Sequence, residues 1–224
     1  MTRTKIICTI GPSSNNILIL KKMKAAGMNI ARINTKHGNP EQWEEIIHKL
    51  RKINCPIMID VNHAYVLGWV ENMNVDYLAV SYAESVNQLS RMQKIVGNKI
   101  KIVSKIETAR GFGNIDNLIR KSWGIMVARG DLGKNLSWEK VPRIQRDIIK
   151  RCNKTRTFVV TATEMLLSMT KNSFPTSAEV SDVATSVFLG SSATMLSEET
   201  AIGAHPVLCI KAMRKIIFES ERIN

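Results

Sequence analysis

Charged side chains stand at the ends of several short apolar segments of this sequence. Glu107 closes one such segment and Asp131 follows the next one. Lys105 precedes Glu107 by two residues, so both side chains lie on the same side of an extended chain. Two carboxylates and an ammonium at this spacing suit a site that acts on an anionic oxygen with a hard divalent cation.

This arrangement favours one kind of substrate. We expect Mg²⁺ or Mn²⁺ at Glu107 and Asp131, with coordination positions left open for the carboxylate and keto oxygens of an α-keto acid. The metal then acts as a Lewis acid and stabilises the enolate that forms when the substrate loses a methyl proton. Lys105 neutralises the developing oxyanion or a transferring phosphoryl group. The backbone N–H groups of residues 130–133 are predicted to be free to hold a carboxylate.

Eight β-rich apolar runs alternate with segments of helical periodicity, which indicates a parallel sheet. Eight units with no chain left over predict a closed (β/α)₈ TIM barrel, and 224 residues are within the ~200–250 of compact examples. We therefore expect a single domain over residues 1–224. The predicted strands are residues 5–10, 30–34, 57–61, 77–82, 101–107, 124–128, 158–163 and 193–197.

Helical periodicity occurs in most of the segments between these runs. Only residues 62–74 separate the third run from the fourth, so that unit is predicted to be unusually short. The clearest helical segments are residues 15–26, 41–53, 85–96, 176–189 and 206–222.

The net charge of +13 has two interpretations. Basic runs at residues 21–24, 48–52 and 143–156 are predicted to be solvated helix faces, although they could also steer an anion or bind nucleic acid. Aromatic residues make up 5% of the chain and are not interleaved with these runs, which makes nucleic acid an unlikely partner.

The remaining composition indicates no membrane partner. No apolar run approaches the ~18 residues of a membrane span, and the N-terminal apolar stretch is too short for a signal peptide. Four cysteines without metal-ligand spacing suggest reduced thiols in a cytoplasm. A homo-oligomer is compatible with the sequence.

Five stretches of this sequence resemble the catalytic barrel of the pyruvate kinase family. They keep the family's order and span nearly the whole chain, which makes chance similarity very improbable. The stretches are IICTIGPSS at residues 6–14, GMNIARIN at 27–34, SKIE at 104–107, GIMVARGDLG at 124–133 and MLSEETA at 195–201.

The resemblance implies roles for individual residues and a substrate, pyruvate or phosphoenolpyruvate. It makes Glu107 and Asp131 the metal ligands and Lys105 the catalytic lysine. Thr163 is then expected near the reacting carbon of the substrate, and Arg32 at its phosphoryl group. Other positions that fall on the family's site are Ser81, Arg129 and Gly130.

The sequence also departs from the family's pattern. The family carries a lid domain inserted after the third strand, where this chain has only residues 62–74, and a C-terminal regulatory domain that this chain is expected to lack. An arginine of the third-strand loop has no counterpart, and Ile202 replaces a lysine. We therefore expect weak binding of ADP.

A monovalent-cation site of the family falls on Asn34 and Asp60. Here Lys36 stands where a potassium-ligating serine is usual, and Val61 replaces a threonine. One interpretation is that the Lys36 ammonium occupies the potassium site beside Asp60, so that potassium is not required. The alternative is an ordinary loop lysine in solvent.

Three functions remain open from the sequence. The favoured one is an enzyme that delivers a metal-stabilised pyruvate enolate to an electrophile other than ADP, in an aldol-type carbon–carbon bond formation or cleavage. The alternative is phosphoryl transfer from phosphoenolpyruvate to ADP, which a lid normally protects from water. The third is a non-catalytic pyruvate-binding or regulatory protein. The second substrate stays unidentified.

Overall fold

The computed structural model describes residues 3–61 and 66–222 and contains eight strands. Each strand pairs in parallel with the next, and the last pairs with the first, so the sheet closes into a barrel. The predicted (β/α)₈ barrel is therefore confirmed. Its strands are β1 (Lys5–Thr9), β2 (Ile30–Asn34), β3 (Ile57–Val61), β4 (Tyr77–Val80), β5 (Lys101–Ile106), β6 (Gly124–Ala128), β7 (Phe158–Ala162) and β8 (Ala193–Leu196).

Helices surround the barrel, and several begin at clear capping signals. Pro40 occupies the first turn of α2, and the side chains of Asn39 and Gln42 cap that helix reciprocally. The helices are α1 (Ile17–Ala26), α2 (Pro40–Lys52), α3 (Val66–Glu71), α4 (Val86–Val96), α5 (Ala109–Gly113), α6 (Ile115–Lys121), α7 (Arg129–Leu136), α8 (Val141–Thr155), α9 (Ser177–Phe188), α10 (Glu198–Ala201) and α11 (Pro206–Glu221).

The alternation of side chains along β3 shows how the sequence builds two apolar layers. Ile57 and Ile59 pack with the core between barrel and helices. Met58 points into the barrel, where it joins a smaller apolar cluster. Asp60 is the next residue in the inward series, so the strand delivers a carboxylate to the end of the barrel where the strands finish.

Five strands, namely β1, β4, β5, β7 and β8, end one or two residues earlier than the sequence predicts. β4 stops at Val80 and β7 stops at Ala162 because the residues that follow leave the extended conformation. Tyr82 and Thr163 have φ angles of 50° and 70°, which break the ladder. The end of the barrel is consequently lined by turns.

The short unit after β3 is also confirmed. Its helix α3 has six residues, and residues 62–65 lie outside the described part of the chain. The basic segment at residues 143–156 coincides with α8 and its C-cap residue Arg156. Among the described residues, no helix is both long and apolar enough to cross a membrane.

Candidate active site

The carboxyl ends of the eight strands meet at one end of the barrel, here called the mouth. At its centre lies Asp60, the last inward residue of β3, whose side chain is fully buried. Arg32 of β2 donates to Asp60 Oδ2 from Nε at 2.9 Å and from Nη2 at 2.7 Å. A further donation from Arg32 Nη1 to Thr9 Oγ1 at 2.8 Å fixes the third guanidinium nitrogen.

Lys105 of β5 reaches the other side of the same carboxylate. Its Nζ is 3.0 Å from Asp60 Oδ1, 3.0 Å from Glu107 Oε1 and 2.9 Å from Ser81 Oγ. An ammonium has three N–H donors, so these three oxygens match its full capacity. The contact between Lys105 and Glu107 confirms that the two side chains share one side of the chain.

Glu107 is 1% exposed and uses both carboxylate oxygens. One oxygen pairs with Lys105, and the other accepts the backbone N–H of Tyr82 at 2.5 Å. Burial raises the pKa of Glu107, and the opposing effects of Lys105 and the Tyr82 N–H do not fully offset it. An additional positive charge beside Glu107 would therefore stabilise its ionised form.

The pKa of Asp60 is shifted in the opposite direction. Burial alone would raise its pKa, but the charges of Arg32 and Lys105 and their hydrogen bonds outweigh burial and lower it. Two cations and the two carboxylates of Asp60 and Glu107 thus form one connected buried network.

Asp131 lies in the first turn of α7, and its side chain is 43% exposed. The Lys134 ammonium is 3.9 Å from it, a long and exposed contact. Asn135 connects the two predicted metal ligands, because its amide nitrogen donates to the backbone oxygens of Glu107 at 3.0 Å and Asp131 at 2.9 Å.

Thr163 stands at the end of β7 in a strained conformation. A φ of 70° is rare for a β-branched residue, and Glu164 follows it with a φ of 53°. Arg129 holds this turn by donating to the Thr163 carbonyl from Nε at 3.1 Å and from Nη2 at 2.6 Å. The arginine is itself anchored by Asp182, whose two oxygens accept from Nη1 at 2.8 and 2.6 Å.

The predicted anion seat at residues 130–133 differs from the expectation. Gly130 N–H is not free, since it donates to Thr163 Oγ1 at 2.9 Å. The chain turns directly from β6 into α7, and the first turn of this helix is fastened to β7 by that bond.

The potassium-site interpretation of Lys36 does not match the structure. Both oxygens of Asp60 are engaged by Arg32, Lys105 and Ser81, and the ion pairs of Asp60 within residues 3–61 and 66–222 are with Arg32 and Lys105. The Lys36 side chain is exposed, and its backbone N–H donates to Asn34 Oδ1 at 3.2 Å. The structure favours the alternative of a loop lysine, because Asp60 already has two buried cationic partners.

Sequence reasoning missed residues that act through other residues. Thr9, Asn135 and Asp182 hold Arg32, the Glu107 segment and Arg129, respectively. Asn135 could have been found, because it lies four residues after Asp131 on one helix face. Asp182 gave no local signal, since it comes from a distant helix.

Two of the motif stretches meet at the mouth. Ser13 N–H donates to the Ala201 carbonyl at 2.9 Å, and Thr200 Oγ1 donates to the Thr9 carbonyl at 2.9 Å. A Cβ atom on Gly11 would lie only 2.7 Å from the Ala201 oxygen, so this close approach requires glycine.

Comparisons with known proteins agree with this architecture. The family model described as pyruvate kinase, barrel domain, matches residues 1–66 and 52–210. The pyruvate kinase of Chlamydia pneumoniae is 30% identical over 335 aligned positions, which cover 99% of this chain and 69% of that protein.

Two further relatives extend the comparison. The cytosolic isozyme of pyruvate kinase from Solanum tuberosum is 27% identical over 336 positions, covering 98% of this chain and 66% of its own. The pyruvate kinase of Geobacillus stearothermophilus is 39% identical over 175 positions, 76% of this chain and 30% of its own.

Two of the alignments are longer than this chain, which reveals a difference in length between it and these relatives. An alignment of 335 positions to a chain of 224 residues means that the relative has many residues that this chain lacks. The two matched stretches of the family model overlap at residues 52–66, beside residues 62–74, where the inserted lid domain was expected to be missing. The chain belongs to the pyruvate kinase family.

Proposed function

We propose that this chain binds phosphoenolpyruvate or pyruvate at the mouth and catalyses the phosphoryl transfer of its family through an enolate. The observation that carries the proposal is the Lys105 ammonium, held 3.0 Å from both Asp60 and Glu107. The names of the relatives support this transfer better than the carbon–carbon reaction favoured from the sequence.

The carboxylates of Glu107 and Asp131 are the ligands that we propose for a divalent cation at this site. Among the described residues no three His, Cys, Asp or Glu side chains form a metal-binding group, so Glu107 and Asp131 would hold the ion together with substrate and water oxygens. The raised pKa of Glu107 and the exposed, weakly paired carboxylate of Asp131 both favour an added positive charge. When bound, Mg²⁺ or Mn²⁺ supplies Lewis-acid polarisation of the substrate's oxygens.

The protein's own side chains perform the other steps. Lys105 neutralises the oxygen on which charge develops as the phosphoryl group leaves, and its three fixed partners orient it beforehand. Arg32 contributes positive charge at the phosphoryl group. Thr163 is held at the reacting carbon by Arg129, which we assign as a positioning residue. Ser81 orients Lys105, and Gly130 fixes the Thr163 hydroxyl.

Pyruvate formation from phosphoenolpyruvate and ADP, followed in a coupled assay with Mg²⁺, tests this proposal. We expect turnover that requires the divalent ion and falls ~10²–10³-fold in Lys105→Ala, as for the loss of one oxyanion donor. Absence of turnover at millimolar ADP, together with normal pyruvate binding, would exclude phosphoryl transfer. Parallel assays in potassium chloride and tetramethylammonium chloride test whether turnover depends on potassium.

A second candidate rests on the lid insertion that is expected to be missing at residues 62–74. Without a lid, an enolate at the mouth is open to a carbonyl electrophile, and an aldol-type reaction becomes the competing use of the same site. Titration calorimetry with ADP and Mg²⁺ separates the two candidates. The lost loop arginine and Ile202 predict weak ADP binding for the aldol-type candidate, whereas micromolar ADP affinity favours phosphoryl transfer.

A further inference from the structure

Exposed cations along α8 have no part in the mouth. Arg143, Arg146, Lys150 and Lys154 follow one another at spacings of three and four residues, so they form a single outward stripe. Consecutive members are separated by ~4.5–6 Å along the helix axis. In the described part of the chain, the ion pairs of this helix belong to Arg151, which binds Asp116 and Asp147. The charges of the stripe are therefore left to solvent.

A groove runs between this stripe and the end of α9. It has a volume of about 500 Å³ and is lined by Arg146, Lys150, Lys154 and Phe188. The Phe188 ring is 48% exposed. An aromatic face thus stands beside three cations, although the two segments are far apart in the sequence.

Phe188 also lines a second groove of similar volume at the amino ends of the strands. This groove contains Arg3, Lys5 and Phe158, with the Lys5 ammonium 6.0 Å from the centre of the Phe158 ring. Its acidic residue, Glu221, is engaged by the backbone N–H groups of residues 3 and 4. The two grooves share Phe188, and each of them contains cations.

Aromatic rings continue across the base of the barrel from this point. Phe158 stacks on Trp123 with ring centres 4.7 Å apart, and Trp123 contacts Tyr77 at 5.0 Å. Lys101 lies over both, at 5.0 Å from Trp123 and 5.7 Å from Tyr77. Tyr77 is buried, and Trp123 and Phe158 are partly buried against the inner core, so the lysines are the groups most exposed at this end of the barrel.

We propose that this surface binds single-stranded nucleic acid. It is called the basal tract and consists of Arg146, Lys150, Lys154, Phe188, Phe158, Lys5, Trp123 and Lys101. Regularly spaced cations neutralise successive phosphates, and the exposed Phe188 ring stacks on an unpaired base. The sequence argued against nucleic acid because aromatic residues are not interleaved with basic runs, but the fold brings Phe188 beside the cations of α8 and Phe158 beside Lys5.

The test uses fluorescence anisotropy of the full chain with a labelled 20-nucleotide oligouridylate at 50 to 200 mM KCl. The tract variant is Arg146→Glu/Lys150→Glu/Lys154→Glu. The control is Lys21→Glu/Lys22→Glu/Lys52→Glu, which changes the net charge by the same amount but at positions on α1 and α2. We expect the control to bind nearly as tightly as the unmodified chain. The tract variant should lose affinity. The slope of its log binding constant against log salt concentration should become smaller in magnitude by about 2, or ~0.7 for each lost phosphate contact.

The stacking contribution is measured with Phe188→Leu, which keeps apolar bulk but removes the ring. We expect affinity to fall about tenfold, within the range for loss of one base–aromatic stack. Phe174→Leu, at a phenylalanine outside the tract that is more exposed than Phe188, should leave affinity unchanged. Circular dichroism and pyruvate exchange, which depends on the opposite end of the barrel, verify that each variant is folded.

Three results would overturn the proposal. Equal losses in the tract and control triple variants would show that only net charge attracts the oligonucleotide. Unchanged affinity in Phe188→Leu, with inorganic polyphosphate competing as well as oligouridylate, would show a site for polyanions without base stacking. Stronger binding to phosphatidylserine vesicles than to the oligonucleotide, lost in the same tract variant, would assign the surface to a membrane.

Discussion

Strand β5 carries two lysines with opposite surroundings. Lys105, near the mouth, has a 7% exposed side chain and contacts two carboxylates and a hydroxyl. Lys101, at the base, is exposed and lies over the rings of Tyr77 and Trp123. Lys101 and Lys105 are four positions apart on one strand. Carboxylates fix the ammonium of Lys105, whereas the ammonium of Lys101 remains available to a ligand.

The difference shows what burial does to a charge. A buried ammonium must be paired, and its partners then hold it in a single position suitable for acting on a reacting oxygen. An exposed ammonium keeps its mobility, and its contribution to binding depends on salt. Stability and activity at the mouth should therefore depend on each individual partner of a charged side chain. Binding at the base should depend on the total number of charges.

The largest expected effect on stability is that of Asp60→Asn. The change leaves Arg32 and Lys105 buried with one fewer negative partner, so we expect the free energy of unfolding to fall by ~3–5 kcal/mol. Urea denaturation measures this loss. Asp116→Asn, which breaks an exposed pair with Arg151, serves as the control and should cost less than ~1 kcal/mol. Similar losses in both variants would contradict the distinction between buried and exposed pairs.

The same network predicts a response to acid. Because the folded pKa of Asp60 is below its ordinary value of 3.8, the unfolded chain takes up this proton first. The stabilisation from Asp60 is complete above that value and is lost as the pH falls through the lower folded pKa. Unfolding measured between pH 5 and about pH 3 should show a steeper loss in the unmodified protein than in Asp60→Asn. Parallel curves would show that Asp60 is not the linked group.

Glu107→Ala should abolish most metal-dependent activity without unfolding the barrel. We expect pyruvate exchange to fall ~10²–10³-fold, because one of two carboxylate ligands is lost. Calorimetric titration with Mn²⁺ should show weakened binding independently of activity. Glu198→Ala removes an exposed carboxylate from α10 and should change neither measurement. Normal Mn²⁺ affinity in Glu107→Ala would remove this residue from the metal site.

A smaller effect is expected for Asp182→Asn. Asp182 anchors Arg129, which fixes the turn of Thr163, so displacement of this turn should slow exchange about tenfold. Pyruvate affinity should change less than the rate, because the effect is on position. Asp182→Glu should recover part of the rate, whereas equal rates in all three proteins would leave the anchor without function.

The smallest effect is expected for Lys36→Ala. Its side chain is exposed and Asp60 is already paired with Arg32 and Lys105, so exchange should remain within about twofold of normal. New activation by potassium in this variant, absent from the unmodified protein, would restore Lys36 as the resident cation.

The barrel was predictable because each strand and helix carries its own local pattern. The inward alternation in β3 and the two-residue spacing of Lys105 and Glu107 follow directly from strand geometry. Turns at the strand ends were not predictable, since positive φ angles at Tyr82 and Thr163 depend on contacts from other elements.

The sequence predicted which residues lie at the mouth better than it predicted which of them contact one another. The resemblance placed Lys36 beside Asp60, but the fold brings Lys105 from β5 to the same carboxylate. The sequence likewise separated Phe188 from the cations of α8, which line one groove in the structure. Both cases depend on distances between segments that no local pattern encodes.

The central claim is that Lys105, fixed by its acids, acts on a pyruvate enolate. Deuterium exchange of the pyruvate methyl group, followed by NMR in D₂O with Mg²⁺, measures this most directly. We predict exchange by the unmodified protein that stops when the metal is chelated, a ~10²–10³-fold slower rate in Lys105→Ala, and a normal rate in Lys101→Ala. Absence of exchange in the unmodified protein, or a near-normal rate in Lys105→Ala with saturating metal, would contradict the account.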